Sequence, residues 1–218
     1  WTRVGSIANA KLDYSTNSGT SYPNVIVAST GAGAGAYSWT IPDSIGTTRR
    51  VKITDASDST VGDTSDADFT LMGGFTIAVP NGGEVWTGGS AQTLTWTTAG
   101  TVANVKLEYS TNGGTTYPNE ITASTANTGS YSWTVPDAIT TLGRLRVSDV
   151  NNANALDVSN ANFKIRGALL LTAPNGGEAW PINSSQNVVW NRTGSIANVK
   201  LEYSTNGFSD ELQTTTII

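Results

Sequence analysis

Apolar and polar residues alternate along much of this chain. In residues 105–110, Val, Leu and Tyr alternate with Lys, Glu and Ser, a period of two that is typical of a β-strand with one buried face. The same alternation recurs at 93–97, 130–135 and 144–147. Further strands are predicted at 76–79, 116–124 and 158–165. No segment has the 3.6-residue period of a helix, so the sequence predicts an all-β protein.

The chain also repeats itself with a period of 94 or 95 residues. Residues 11–16, 106–111 and 200–205 all read Lys-Leu-(Asp or Glu)-Tyr-Ser-Thr. In the same phase the sequence repeats Tyr-Ser-Trp at 37 and 131, Pro-Asp at 42 and 136, and Pro-Asn-Gly-Gly-Glu at 80 and 174. This period suits one compact domain per repeat, since solenoid units are about 20 to 50 residues long.

The phase of the repeat divides the chain into three predicted domains. We call them the first repeat (1–73, without its first strands), the middle repeat (74–167, complete) and the third repeat (168–218, the N-terminal part only). The middle repeat has about seven predicted strands with frequent turn signals, which predicts tandem immunoglobulin-like (fibronectin-III-like) β-sandwich domains. The link around 165–169 is too short for a flexible tether, so we expect a stiff row of domains.

Composition excludes several function classes. The 218 residues carry a net charge of −5 and contain no Cys and no His, so a disulfide, a Cys nucleophile and a Ser-His-Asp triad are excluded. No basic cluster suggests nucleic-acid binding, and no apolar run is long enough to span a membrane. No pair of carboxylates is predicted to face one cleft, so we expect no enzyme activity.

Several of these motifs together resemble known families. Pro-Asn-Gly-Gly-Glu, the Leu-Thr-Trp strand and Gly-Ser-Tyr-Ser-Trp-Thr-Val-Pro-Asp are similar to tandem immunoglobulin-like repeats of large bacterial surface and secreted proteins. The pattern is similar also to the fungal Ser/Thr-rich, GPI-anchored cell-wall domain family. Residues 110–117 resemble the Asp-box hairpin of sialidases, which stabilises a turn away from the chemistry. The resemblance implies an extracellular or cell-surface protein that is usually non-catalytic.

Three functions are compatible with the predicted fold and the resemblance. The first is a structural segment of a stalk, fibre or filament, whose partners are neighbouring repeats or copies of the same chain. The second is an adhesin or carbohydrate-binding module that binds cell-wall or surface glycans. The third is an accessory domain of a secreted hydrolase.

Aromatic side chains provide the candidate carbohydrate contacts. We expect four of them to lie in the core because they occupy inward positions of alternating strands: Trp96, Tyr109, Tyr131 and Trp133. Trp86 and Trp180 follow the Gly-Gly-Glu turn, where they either stack on a sugar, close one end of the sandwich or pack on a neighbouring domain.

Polar residues provide three further candidates. Asp55, Asp58, Asp63 and Asp66 form an acidic loop that could bind calcium, the one cofactor considered, although polar turns that cap their own backbone are the favoured interpretation. Asn183 and Asn191 fit the N-glycosylation sequon. Lys106 and Glu108 are predicted to form exposed pairs with Arg144 and Arg146 on a neighbouring strand.

Overall fold

The structure, a computed structural model, describes residues 1–205, 207–208 and 214–216; the remaining residues of the third repeat lie outside the described part. Over that part the protein is all-β, with a single 3₁₀ turn at Ala32–Ala34. No helix among the described residues has the length and apolar character needed to cross a membrane. Every strand pairing that the structure describes lies within 1–73, 74–167 or 168–218.

The middle repeat contains two sheets that enclose one core. Its nine strands are β6 (Gly74–Val79), β7 (Val85–Thr87), β8 (Ala91–Ala99), β9 (Asn104–Ser110), β10 (Asn119–Ala126), β11 (Ser130–Thr134), β12 (Thr140–Asp149), β13 (Asn152–Val158) and β14 (Phe163–Arg166). One sheet has the order β11-β8-β6, and the other has the order β10-β9-β12-β14-β7 with β13 paired to β12. Inward side chains of both sheets, among them Leu94, Leu107 and Phe163, are fully buried between them.

The alternation predicted the buried faces correctly but not every strand. Trp96, Trp133 and Tyr109 are buried, and Tyr131 packs against the same core. The predicted strand at 158–165 is wrong in its extent, because residues 159–162 form a turn between β13 and β14. The short strand β7, which pairs in parallel with β14, was not predicted.

The first repeat forms one sheet with an open inner face. Its strands are β1 (Asn9–Ser15), β2 (Asn24–Gly31), β3 (Gly46–Asp55), β4 (Gly62–Thr64) and β5 (Phe69–Leu71). Residues 37–41 form no strand, since the partner that β11 finds in β8 would correspond to residues outside this sequence. Trp1 nevertheless keeps the register of β8: its amino group donates to the Gly35 carbonyl oxygen, as the Trp96 amide donates to that of Gly129.

The third repeat is described only in part. β15 (Ala168–Ala173) pairs with β16 (Val189–Thr193), and β17 (Glu202–Ser204) pairs with β18 (Thr214–Thr216). Leu169, Leu170 and Leu171 on β15 are between 45% and 62% exposed, whereas Ile77 on the corresponding strand β6 is 1% exposed. The difference follows from the absence of a covering sheet over the described part of this repeat.

Candidate functional site

Side-chain hydrogen bonds join one repeat to the next at both junctions. At the first junction, the Pro42–Ile45 loop that precedes β3 meets the Gly100–Val102 loop between β8 and β9. The link between these two repeats is two residues long, because β5 ends at Leu71 and β6 begins at Gly74.

Asp43 joins the two loops by its carboxylate. One oxygen accepts a hydrogen bond from the Thr101 amide at 3.0 Å, and the other accepts one from the Thr101 hydroxyl at 2.5 Å. The bond from the hydroxyl, followed by that from the amide, holds the pKa of Asp43 below its ordinary value. The carboxylate is therefore the form that this contact favours.

Apolar contacts lie directly beside the carboxylate. Ile45 of the first repeat packs against the core of the middle repeat, and Val102 is only 9% exposed. Gly100 has a φ of +82°, and a Cβ there would lie 3.2 Å from the Ile45 side chain. Gly73 in the link lies against the Val102 side chain without room for a Cβ. Two glycines thus allow the loop and the link to approach closely.

The second junction repeats these contacts 94 residues later in the sequence. Asp137 accepts hydrogen bonds from the Ser195 amide at 2.8 Å and from the Ser195 hydroxyl. Gly194 has a φ of +86°, with Asp137, Ile139 and Gly167 around it, and Gly167 lies against Ile196. The bonds from Ser195 lower the pKa of Asp137, and the charge of Arg192 adds to that effect. The same hydrogen bonds and close glycine contacts therefore form both junctions, although Ile139 is 47% exposed whereas Ile45 packs against the core of the next repeat.

We call these paired contacts the junction clamp: the Asp and Ile of one repeat against the Gly-Thr-Val or Gly-Ser-Ile loop of the next. The repeated Pro-Asp pairs at 42 and 136 are visible in the sequence, but the pattern alone indicates no contact partner. The signal that could have found the clamp is that a Gly-(Thr or Ser)-(Val or Ile) triplet repeats in the same phase, at 100 and 194.

Trp86 is placed in the core. It is 8% exposed, and its ring lies 6.0 Å from that of Trp133 and 5.3 Å from that of Phe163. This environment corresponds to the alternative in which the residue closes the sandwich, and it leaves no open ring face for a sugar. Trp180 is 42% exposed and lines an open apolar cavity with Leu169, Leu171 and Trp190. Its role in carbohydrate binding stays a prediction.

The acidic loop of the first repeat forms local turns. Asp55 accepts hydrogen bonds from the Ser57 amide and hydroxyl, and Asp58 accepts the same pair from Thr60. These bonds lower the pKa of both carboxyls. Asp63 binds the Thr64 amide, and across the described residues no three acidic, His or Cys side chains come together around one point. Calcium binding by Asp66 and the other three carboxylates stays a prediction.

The glutamates of the Gly-Gly-Glu motif also have a local role. Both oxygens of Glu84 accept backbone N–H groups, from Asn81 at 2.8 Å and Gly82 at 2.9 Å, and Glu178 does the same with Asn175 and Gly176. The bonds from the backbone lower the pKa of Glu178. Asn191 lies on the exposed side of β16 and Asn183 lies in a turn, and glycosylation of either stays a prediction.

The predicted charge pairs are only partly right. Glu108 is bonded to Lys106 at 2.8 Å and to Arg146 at 2.6 Å, but it is 6% exposed and therefore not on an open surface. Burial raises the pKa of Glu108, but the hydrogen bonds from the two cations outweigh it, and the resulting pKa lies below the ordinary value. Arg144 instead donates to Asn162 and to the Ser159 carbonyl oxygen.

Known proteins show little similarity to this chain in sequence. No protein-family model matches it, and no curated protein is similar to it in sequence. Among solved structures, it is similar to the fibronectin(III)-like modules of Clostridium thermocellum CbhA, with a TM-score of 0.32 and 13% sequence identity. That similarity covers 76% of this chain and 82% of the other.

Proposed function

We propose that this chain is a non-catalytic structural segment of an extracellular or cell-surface protein, in which sandwich repeats are joined at a fixed angle into a stiff stalk or filament. The single observation that carries the proposal is the junction clamp, which has the same contacts at Asp43–Thr101 and at Asp137–Ser195. A flexible tether between repeats would not require the same clamp at both junctions. The extracellular location rests on the sequence resemblance.

The clamp is suited to fix an angle because two loops and the link meet around Gly100, where a Cβ would lie 3.3 Å from Asp43, 3.2 Å from Ile45 and 3.7 Å from Gly73. The carboxylate receives two bonds from one residue, which orients the loop, while Ile45 packs into the neighbouring core a few ångströms away. Gly73 places the link against the same loop, beside the side chains of Val102 and Ile45. Rotation about any one contact would break another, so a small interface can restrain motion that independent domains otherwise show.

The proposal is tested by the distance between two spin labels on adjacent repeats. The chain contains no Cys, so Ser29→Cys and Ser124→Cys, exposed on the corresponding strands β2 and β10, label it without background. Pulsed electron paramagnetic resonance of the full chain should give one narrow distance distribution. Adding Asp43→Ala and Ile45→Ala should broaden it without unfolding either repeat.

Asp58→Ala is the matched control, because Asp58 is an exposed carboxylate of the same repeat that binds only its own turn. It should leave the distribution unchanged. A broad distribution in the unsubstituted, folded chain would contradict the proposal.

A further inference from the structure

The first repeat carries the receiving half of a junction clamp, and no aspartate among the described residues is bound to it. Gly5-Ser6-Ile7 corresponds in the repeat to Gly100-Thr101-Val102 and to Gly194-Ser195-Ile196. Both of the latter loops hold an aspartate from the preceding repeat. We call residues 5–7 the free loop.

Gly5 of the free loop already has the φ of the glycines in the occupied loops, although the hydrogen bond from the Val102 or Ile196 amide to the glycine carbonyl oxygen has no described counterpart at Ile7. The φ of Gly5 is +82°, against +82° at Gly100 and +86° at Gly194. The space around Gly5 differs from the space around Gly100 and Gly194. A Cβ on Gly100 or Gly194 would lie 3.3 or 3.1 Å from the incoming aspartate, whereas a Cβ on Gly5 would have nothing within 4 Å. The position that an aspartate fills at the two junctions is therefore open here.

The hydrogen-bond donors of the free loop are also unused. Ser6 is exposed, and within the described part of the chain neither its amide nor its hydroxyl has a hydrogen-bond partner. These are the two groups with which Thr101 and Ser195 bind a carboxylate. An acceptor with two oxygens in a fixed orientation would satisfy both, and hydrogen bonds to a charged acceptor are the stronger kind.

The positively charged side chain of Arg3 lies beside the free loop. Arg3 donates to the Ile7 carbonyl oxygen, in the same way as Arg192 donates to that of Ile196. At the occupied loop, the Arg192 charge helps to lower the pKa of Asp137. Arg3 therefore offers the free loop the same preference for an ionised carboxylate.

We propose that the free loop binds the Pro-Asp-x-Ile loop of another repeat of this kind, with its carboxylate on Ser6 and its isoleucine beside Gly5 and Ile7. The inference rests on the proposed function and adds the chemistry by which a further repeat is recognised. Gly5 already has the φ found at the occupied junctions, so this residue needs no change of backbone conformation when a repeat is added. The partner is defined by this motif, of which 42–45 and 136–139 are the two examples in the chain.

The test uses a longer chain in which a copy of residues 1–95 precedes Trp1. Thr95 is normally followed by Trp96, whose counterpart is Trp1, so this addition keeps the phase of the repeat. It also supplies a copy of β6 and the start of β8, which cover the open face of the first repeat. The Asp43 of the added copy then reaches Ser6.

Amide hydrogen exchange, measured by NMR, shows whether the Ser6 amide forms the expected hydrogen bond. In the longer chain, the Ser6 amide should exchange roughly tenfold more slowly than in the 218-residue chain, as expected for a new charge-assisted hydrogen bond. Asp43→Ala in the added copy should restore fast exchange, and Asp58→Ala there should not. In the same sample, the added Asp43 should titrate below its ordinary pKa, as the clamp causes at the existing junctions.

The existing junctions serve as internal references. If the amides of Thr101 and Ser195 are protected but that of Ser6 is not, the free loop does not bind a repeat and the inference is overturned, while the proposed function stands. If none of the three is protected in a folded chain, the proposed function fails as well. A Ser6 amide that is protected equally with Asp43→Ala would also overturn the inference, since the carboxylate would not be its acceptor.

Discussion

At the scale of single residues, a group of aromatic side chains packs together in the core of the middle repeat. Trp133 lies between Tyr109 at 5.2 Å and Phe163 at 6.4 Å, and Trp86 completes the group. The first repeat has the corresponding set, with Trp39 at 5.3 Å from Tyr14 and 6.5 Å from Phe69. Large rings in tilted and edge-on contact fill the space between sheets with few side chains.

Trp86→Ala should therefore destabilise the middle repeat rather than remove a ligand. Replacing a buried tryptophan by alanine leaves a cavity and typically lowers the free energy of unfolding by about 3–5 kcal/mol. Urea unfolding of the full chain, followed by circular dichroism, measures the change. Trp180→Ala is the control, since Trp180 is 42% exposed and should have a much smaller effect. Equal effects of the two substitutions would contradict this assignment.

At the scale of elements, the hairpin between β9 and β10 is organised by one buried serine. The Ser110 hydroxyl oxygen accepts hydrogen bonds from the amides of Asn112 and Gly114, and the hydroxyl donates to the Asn112 side chain. Asn112 in turn accepts the Thr116 amide. Ser15 and Asn17 form the same network between β1 and β2, so the turn-stabilising role implied by the Asp-box resemblance fits these contacts.

Ser110→Ala should weaken this hairpin. The substitution removes the acceptor of two backbone amides in a half-buried turn, and each such hydrogen bond contributes about 0.5–1.5 kcal/mol to the free energy of unfolding. Urea unfolding gives the total, and amide exchange of Asn112 and Gly114 shows whether the loss is local. Ser132→Ala on the exposed side of β11 is the matched control and should change the free energy little. A loss confined to residues outside this turn would contradict the role given to Ser110.

At the scale of the whole molecule, we expect the two junctions to set the angle between neighbouring repeats. Each clamp uses an aspartate whose pKa lies below the ordinary value of 3.8 because Thr101 or Ser195 donates hydrogen bonds to it. A carboxyl with a lowered pKa in the joined state stabilises that state fully above its ordinary pKa. This stabilisation is lost as the pH falls through the lowered value.

The distance distribution between labels at Ser29 and Ser124 should therefore be unchanged from pH 7 to pH 5, and it should broaden only below the ordinary aspartate value of 3.8. Circular dichroism at each pH identifies the range in which both repeats remain folded. With Asp43→Asn, the distribution should no longer respond to pH. Broadening between pH 7 and pH 5 would show that a group other than Asp43 controls the junction.

Much of the fold was predictable because it depends on short-range patterns. The period of two identified the inward faces of β8, β9, β11 and β12, and the Ser-Thr-Asn-Gly segments identified the hairpins. The exposure of Glu108 was predicted wrongly, because its partner Arg146 lies on β12 and contacts the ring of Tyr117, which precedes β10. Arg146 is 4.4 Å from the Tyr117 ring centre, and no pattern local to residue 108 reveals that contact.

The sequence by itself determined the strand class, the repeat period and the turns, since each follows from residues a few positions apart or from comparison of one repeat with the next. Only the tertiary structure decided which candidates matter. Asp43 and Thr101 are 58 residues apart, and they meet because two folded units and a two-residue link bring their loops together. Hydrogen bonds act over about 3 Å. Their partners are therefore set by packing between units, which a linear pattern does not contain.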